Sequence, residues 1–112
     1  MMEFYGSDIT TSKDLGVGVL NFTTSVAREW KLSEVLMHFS IASTETITLT
    51  LDAAAGNTYD TVLATYSIVG KQSYIFRPIG DCVFKSGDEL NVYCTNAGAA
   101  IVYVTVKRKE LP

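Results

Sequence analysis

The chain has 112 residues, which corresponds to one domain, and 47% of them are apolar, which excludes an intrinsically disordered protein. Its net charge is −3, and its one basic run, residues 107–109, is too small to predict a nucleic-acid binder. No apolar run approaches the roughly 20 residues of a membrane helix, so we expect no membrane partner.

The N-terminal residues 1–14 are mostly polar, and Phe4 and Tyr5 are the large aromatic groups among them. This composition predicts an N-terminal arm or irregular lead-in over residues 1–14, followed by a single folded domain over residues 15–112. The same residues lack the basic and apolar regions of a signal peptide. We therefore expect synthesis in a cytoplasm.

Eight segments of β-rich composition follow the lead-in. They are residues 17–23, 34–42, 46–52, 61–67, 73–77, 81–85, 89–96 and 100–107. Segment 34–42 fits the spacing of a helix equally well, and we interpret it as a strand because no Gly or Pro separates it from segment 46–52. Turn residues divide the other segments at regular intervals. The pattern predicts an all-β fold, an antiparallel β-sandwich of about eight strands with a jelly-roll-like arrangement.

The phase of the alternation predicts which side chains point into the core. The predicted inward positions are Ile47, Leu49, Leu51, Leu90, Val92, Cys94, Val102, Val104 and Val106. The opposite faces are polar and carry Thr46, Thr48, Thr50, Asn91, Tyr93 and Thr95. Thr has a branched Cβ that fits a pleated sheet, so the threonines require no ligand to explain them.

The loop over residues 52–60 raises the question of an ion site, because it carries Asp52, Asn57 and Asp60. A calcium loop places oxygen ligands at alternate positions, whereas residues 53–55 here are all Ala. We predict a turn instead, in which Gly56 and Asn57 supply positive φ and Asp52 or Asp60 caps loop amides. No metal is expected.

The sequence offers no pattern for catalysis. His38, the single His, lies in the middle of a predicted strand, and a hydrolytic triad would need it as the base. Glu29 and Glu34 flank Trp30 and superficially resemble the carboxylate pair of a glycosidase. They lie close together in sequence, and we interpret them as a solvated entry to a strand. We therefore predict a protein that is not an enzyme, with no catalytic residue and no cofactor.

Two cysteines, Cys82 and Cys94, fall almost opposite one another around a turn at residues 86–88. This placement on neighbouring strands is compatible with a cross-strand disulfide. A reducing compartment and the high burial of free Cys favour two reduced, buried thiols. The pair lacks the ligand number and spacing of a zinc site.

Several strand and turn motifs resemble small virion proteins of tailed bacteriophages. The motifs lie at residues 35–39, at "ETITLTLD" (45–52), at "GNTYDTVL" (56–63), at Pro78, at "SGDELNV" (86–92) and from Asn96 onward. The resemblance covers about residues 30–107. It implies a capsid decoration (cement) protein that stabilises the head shell, and it contributes no catalytic residue.

The resemblance also implies a virion location and protein partners, namely the major capsid protein or other virion proteins. Decoration proteins of this kind are homo-oligomers, most often trimers, so a homo-oligomer is expected here. Two alternatives remain open: a head–tail joining or tail-tip virion protein, and a carbohydrate-binding β-sandwich that uses Trp30 and exposed tyrosines.

Overall fold

Seven antiparallel strands joined into one sheet form residues 5–110, the part of the chain that the computed structural model describes. The strands are β1 (Tyr5–Asp14), β2 (Leu20–Ser25), β3 (Trp30–Asp52), β4 (Thr61–Phe76), β5 (Cys82–Phe84), β6 (Glu89–Cys94) and β7 (Ile101–Glu110). A short 3-10 turn, Asn57–Tyr59, is the sole helical segment within these residues. The predicted all-β antiparallel sandwich is confirmed.

Strand β3 organises the sheet because it takes part in both halves of it. Fully extended, its 23 residues would span about 75 Å. The longest dimension of the molecule is 45 Å, so β3 has to bend. Its first part pairs with β7 through Trp30 to Phe39, and its last part pairs with β6 through Ile47 to Asp52.

The bend divides the sheet into two halves that share one core. The first half has the strand order β1–β7–β3–β4, with β5 beside the start of β3. The second half has the order β2–β6–β3–β4, because β4 follows the opposite edge of β3 along most of its length. Buried side chains from both halves form a single cluster. Full burial of each large apolar side chain contributes about 1.5–3 kcal/mol.

The predicted inward positions agree with the structure. Ile47, Leu49, Leu90, Val92, Cys94, Val102, Val104 and Val106 are buried, and Leu51 packs partly buried against them. The odd-numbered residues Val35, Met37 and Phe39 are also buried before the bend of β3, whereas Ile41 within the bend is 56% exposed. Local alternation therefore identifies the inner face correctly on every strand to which it was applied.

Three predictions of strand boundaries are wrong, and in two of them segments predicted as separate strands form one continuous strand. Segments 34–42 and 46–52 are one strand, β3, and segments 61–67 and 73–77 are one strand, β4. The eight predicted segments therefore correspond to six strands, and β1, which was not predicted, is the seventh. Residues 17–23 do not form a strand as a whole, because β2 starts only at Leu20. Leu15–Val17 form a turn in which the Val17 amide donates to the Asp14 carbonyl at 3.0 Å.

The predicted arm over residues 1–14 is also wrong where the structure describes it. Tyr5–Asp14 form β1, which pairs with β7 over its whole length, from Tyr5 opposite Glu110 to Asp14 opposite Ile101. Residues 1–4 lie outside the described residues. β1 gives little sequence signal because, among its described side chains, Ile9 is the one large apolar group that packs on the core.

Candidate interaction surface

The loop before β4 is a capped turn. The Ala53 amide donates to Asp60 Oδ1 at 2.8 Å, and the Ala54 amide donates to Asp88 Oδ1 at 3.0 Å. Gly56 has φ +119°, a value that favours glycine. Asn57 instead begins the 3-10 turn and has no positive φ, so the prediction is wrong for this residue. The predicted capping role of Asp60 is confirmed, and Asp88 is a second cap that the sequence analysis missed. Residues 5–110 contain no group of three or more His, Cys, Asp or Glu side chains that could hold a metal.

The two cysteines are free and far apart in the sheet. Cys82 pairs with Leu32 near the start of β3, whereas Cys94 pairs with Ile47 beyond its bend. The interpretation that they face each other on neighbouring strands is therefore wrong. Cys94 is buried, and its burial, with a further contribution from the nearby Glu45 carboxylate, raises the pKa of the thiol to about 12.

Trp30 is a core residue and not a ligand platform. It is fully buried, its ring stacks on Phe84 with centroids 4.1 Å apart, and the Arg108 guanidinium lies 5.7 Å from its centroid. The alternative that used Trp30 to bind carbohydrate is therefore wrong for this residue. Glu34 is close by in sequence, but its carboxylate accepts from Arg77 Nε at 2.7 Å.

Glu45 is a buried charged residue that the sequence analysis missed. Its Oε1 accepts from the Thr95 hydroxyl at 2.6 Å and from the Ala97 amide at 2.9 Å, and its Oε2 accepts from the Gly98 amide at 2.8 Å. The side chain is 3% exposed. It thereby fastens the loop between β6 and β7 onto the bend of β3. Glu45 lies two residues before Ile47 and therefore on the same inward side of the strand, and this spacing could have predicted its burial.

The outer side of the first half carries an apolar and aromatic surface that we call the β7 face. It consists of Leu36, His38, Ile75, Ile101 and Tyr103, which alternate with buried residues on their strands. Register places His38 beside Tyr103, and Leu36 beside Ile75. Ile75 is 50% exposed and Tyr103 is 49% exposed. Exposed apolar groups gathered in this way are typical of interaction surfaces.

A row of alternating charge lies along one end of the β7 face. In the strand register Asp8 lies opposite Lys107, and Lys107 lies opposite Glu34. Glu34 in turn forms an ion pair with Arg77. Asp8, Glu34 and Lys107 lie on strands, and Arg77 directly follows the end of β4 at Phe76. An apolar centre beside a charged border is the usual anatomy of a protein–protein interface.

The outer side of the second half is polar and almost uncharged, and we call it the threonine face. Its rows run from Thr23 through Asn91 to Thr50 and from Tyr93 through Thr48 to Thr65. The Asn91 side-chain amide donates to Asn21 Oδ1 at 2.6 Å. Some polar groups of this surface therefore already have hydrogen-bond partners within the protein. The contrast between the two faces identifies the β7 face as the better candidate for docking on another protein.

The exposed tyrosines do not form one platform. Tyr59 lies in the capped turn and Tyr103 lies on the β7 face. Tyr66 and Tyr74 stack with centroids 4.7 Å apart, where the two parts of β4 approach each other. Partial burial raises the pKa of Tyr74, and Tyr66 adds to the shift. No helix long and apolar enough to cross a membrane occurs in the described part of the chain.

Comparison with known proteins supports the fold. The chain matches no protein-family model, and no curated protein matches it. It is similar to the crystal structure of PirA, with TM-score 0.50, 15% identity and coverage of 92% of this chain and 93% of that one. At this identity the similarity concerns the fold alone.

Solved structures with lower scores include viral capsid proteins. A chain of the infectious bursal disease virus particle aligns with TM-score 0.47 and 10% identity, over 97% of this chain and 35% of that one. This protein therefore spans about a third of the viral one. The nucleoplasmin-like N-terminal domain of Drosophila FKBP39 aligns with TM-score 0.42 and 15% identity, over 96% and 88%. Similarity at these scores carries no argument about function.

Proposed function

We propose that this protein is a non-enzymatic structural component of a virion, and specifically a capsid decoration (cement) protein that binds the head shell through its β7 face. The observation that carries the proposal is the gathering of Leu36, Ile75 and Tyr103 on one exposed face beside a row of alternating charge. The partner is the major capsid protein or another virion protein. The resemblance of the sequence to phage virion proteins supplies the class of partner.

The physical argument starts from the sheet. A bent, hydrogen-bonded sheet around one core holds its outer side chains in fixed positions, so little conformational entropy is lost when they dock. An exposed Tyr with a polar tip is a favourable anchor on such a surface. A shell also presents many identical sites, so several weak contacts made by an oligomer act together. The protein would act by contact area, with no cofactor.

Cosedimentation with shells that lack the protein tests this proposal. The full-length protein at micromolar concentration should pellet with assembled shells and should not bind free capsid subunits. Tyr103→Ala should weaken shell binding at least about tenfold, because interface aromatic residues are frequent hot spots. The matched control is Tyr59→Ala, since Tyr59 is also exposed but lies away from the β7 face.

The outcomes of these binding experiments distinguish the candidate roles. If the wild-type protein stays in the supernatant, the decoration proposal fails. Binding to isolated connector or tail-tip proteins instead of shells would favour the other virion roles, and binding on a glycan array would favour a carbohydrate module. If Tyr59→Ala and Tyr103→Ala weaken binding equally, the β7 face is the wrong surface.

A further inference from the structure

A cavity of about 570 Å³ opens where the start of β3, the end of β7 and the segment between β4 and β5 come together. Its lining includes Lys31 and Ser33 from β3, Lys109 from β7, and Gly80 and Asp81 from the segment before β5. This volume lies within the range of small-molecule sites. None of the described lining residues belongs to the β7 face, so the cavity is a separate feature of the surface.

Two ammonium groups meet at this cavity. Lys31 lies directly opposite Lys109 in the register of β3 and β7. Beyond Lys109, the neighbour in β1 is Gly6, which has no side chain. Beyond Lys31, the neighbour in β5 is the apolar Val83. Like charges directly opposite each other destabilise a sheet, and neither strand neighbour supplies a carboxylate to offset them.

Asp81 is the one acidic residue in the described lining of the cavity. Its Oδ2 lies 3.4 Å from Lys31 Nζ, and its side chain is 74% exposed, so solvent screens this ion pair. Lys109 makes no ion pair with any residue of the described range. The lining therefore carries more positive than negative charge, and the excess lies at Lys109.

Ser33 adds a half-buried hydroxyl residue to the lining. It is an extra residue of β3, because β7 advances by one residue, from Arg108 to Lys107, where β3 advances by two. A bulge of this kind redirects side chains and is frequent beside functional sites. Gly80 has φ +77° and contributes only backbone to the wall. The cavity therefore combines hydrogen-bond donors with open space.

We propose that this cavity binds the phosphate group of a phosphorylated small molecule, held between the ammonium groups of Lys31 and Lys109 with the Ser33 hydroxyl as a further donor. A phosphate group carries more than one negative charge near neutral pH and offers several acceptor oxygens, which matches two cations and a hydroxyl better than a carboxylate does. It converts the repulsion between the two lysines into attraction to a shared anion. The cavity is larger than a phosphate ion, which leaves room for the rest of the ligand. This inference does not depend on the shell contact.

The test is a titration of the full chain at constant ionic strength, followed by the NMR shifts of its backbone amides. Glucose 6-phosphate should move the Ser33 and Gly80 signals saturably, with a dissociation constant at or below about 1 mM, whereas glucose should not. The Thr48 amide, on the threonine face, should not move. Inorganic phosphate is the second probe. Equal affinity for both probes would identify the phosphate group alone as the ligand, and tighter binding of the ester would assign the remaining space to its sugar.

Two variants of opposite effect make the assignment specific. Lys109→Gln should raise the dissociation constant about tenfold, because one charge-assisted hydrogen bond is lost. Asp81→Asn should lower it, because a negative charge leaves the lining, and this variant keeps the test informative if Lys109→Gln fails to fold. Lys71→Gln is the matched control, since Lys71 is an exposed Lys outside the cavity.

Three results would overturn the phosphate site. They are the absence of saturable shifts with either phosphate probe up to about 20 mM, far above the expected dissociation constant, equal weakening by Lys71→Gln and Lys109→Gln, and weaker binding by Asp81→Asn.

Discussion

Glu45 illustrates how one side chain decides a local structure at the residue scale. It sits at an inward position of β3, where its neighbours in phase are apolar, and burying a carboxylate there is costly unless every oxygen is satisfied. One hydroxyl and two amides of the loop after β6 satisfy it. The Thr95 hydroxyl also accepts from the Thr46 amide at 2.9 Å. Thr95 is therefore hydrogen-bonded to two consecutive residues of β3, Glu45 and Thr46.

Removal of the Glu45 carboxylate should destabilise the fold. Glu45→Ala leaves the Ala97 and Gly98 amides without their acceptor, and the free energy of unfolding should fall by about 2–4 kcal/mol. Glu45→Gln keeps one acceptor oxygen and should cost less. Chemical denaturation measures both. Glu29→Ala, on an exposed side chain, is the control, and equal stability of Glu29→Ala and Glu45→Ala would contradict the assigned role.

Cys94 should make stability depend on pH in the alkaline range. Its thiol pKa rises from an ordinary value of 9.0 to about 12 in the folded protein. Between these values the unfolded chain has lost the thiol proton and the folded chain retains it, so the free energy of unfolding decreases as pH rises. Below pH 9 the thiol makes no such contribution.

The variant Cys94→Ala should flatten this decrease. Denaturation midpoints measured between pH 8 and pH 11 give the slope for each protein, and the half-buried Cys82, whose pKa burial also raises, provides the comparison as Cys82→Ala. An unchanged slope in Cys94→Ala would show that other groups cause the alkaline loss.

At the scale of elements, β1 and β3 show how pairing outweighs local composition. β1 is mostly polar, yet it adds a complete ladder to β7 and packs Ile9 on the core. β3 buries odd-numbered residues on both sides of its bend, but within the bend Ile41 is 56% exposed and the buried positions are the polar Ser43 and Glu45. The Ser43 hydroxyl donates to the Ile41 carbonyl at 2.9 Å, which satisfies its polar group at the bend.

Deletion of residues 1–14 should unfold the protein rather than release an arm. The deletion removes β1 and exposes the edge of β7 together with the inner residues that Ile9 covers. The expected result is loss of a cooperative thermal transition measured by circular dichroism. Ile9→Ser should lower the midpoint, whereas Thr10→Ser, on the exposed side of the same strand, should not. A truncated protein that melts like the wild type would restore the arm interpretation.

At the scale of the whole molecule, the bend of the sheet separates two outer surfaces of different chemistry. The β7 face belongs to the half built on β1 and β7, and the threonine face belongs to the half built on β2 and β6. The proposed shell contact uses the β7 face and leaves the threonine face exposed.

The sequence by itself determined which side of each strand is buried and where several turns fall. The alternation of Ile47 and Leu49 with threonines, and the Gly56 turn capped by Asp60, are local patterns, because side chains alternate along a strand whatever its partner is. The pairing itself was decided only in the tertiary structure. Backbone hydrogen bonds join any two strands with the same chemistry, so sequence pattern says little about which strand lies beside which.

The tertiary structure therefore supplied every feature that depends on distant residues meeting. It placed β1 beside β7, separated Cys82 from Cys94 along β3, and brought Glu45 to a loop 52 residues away in sequence at Ala97. It also gathered the β7 face from three strands, β3, β4 and β7. Each of these contacts closes a long loop of chain, and its free energy comes from packing and register rather than from any local preference.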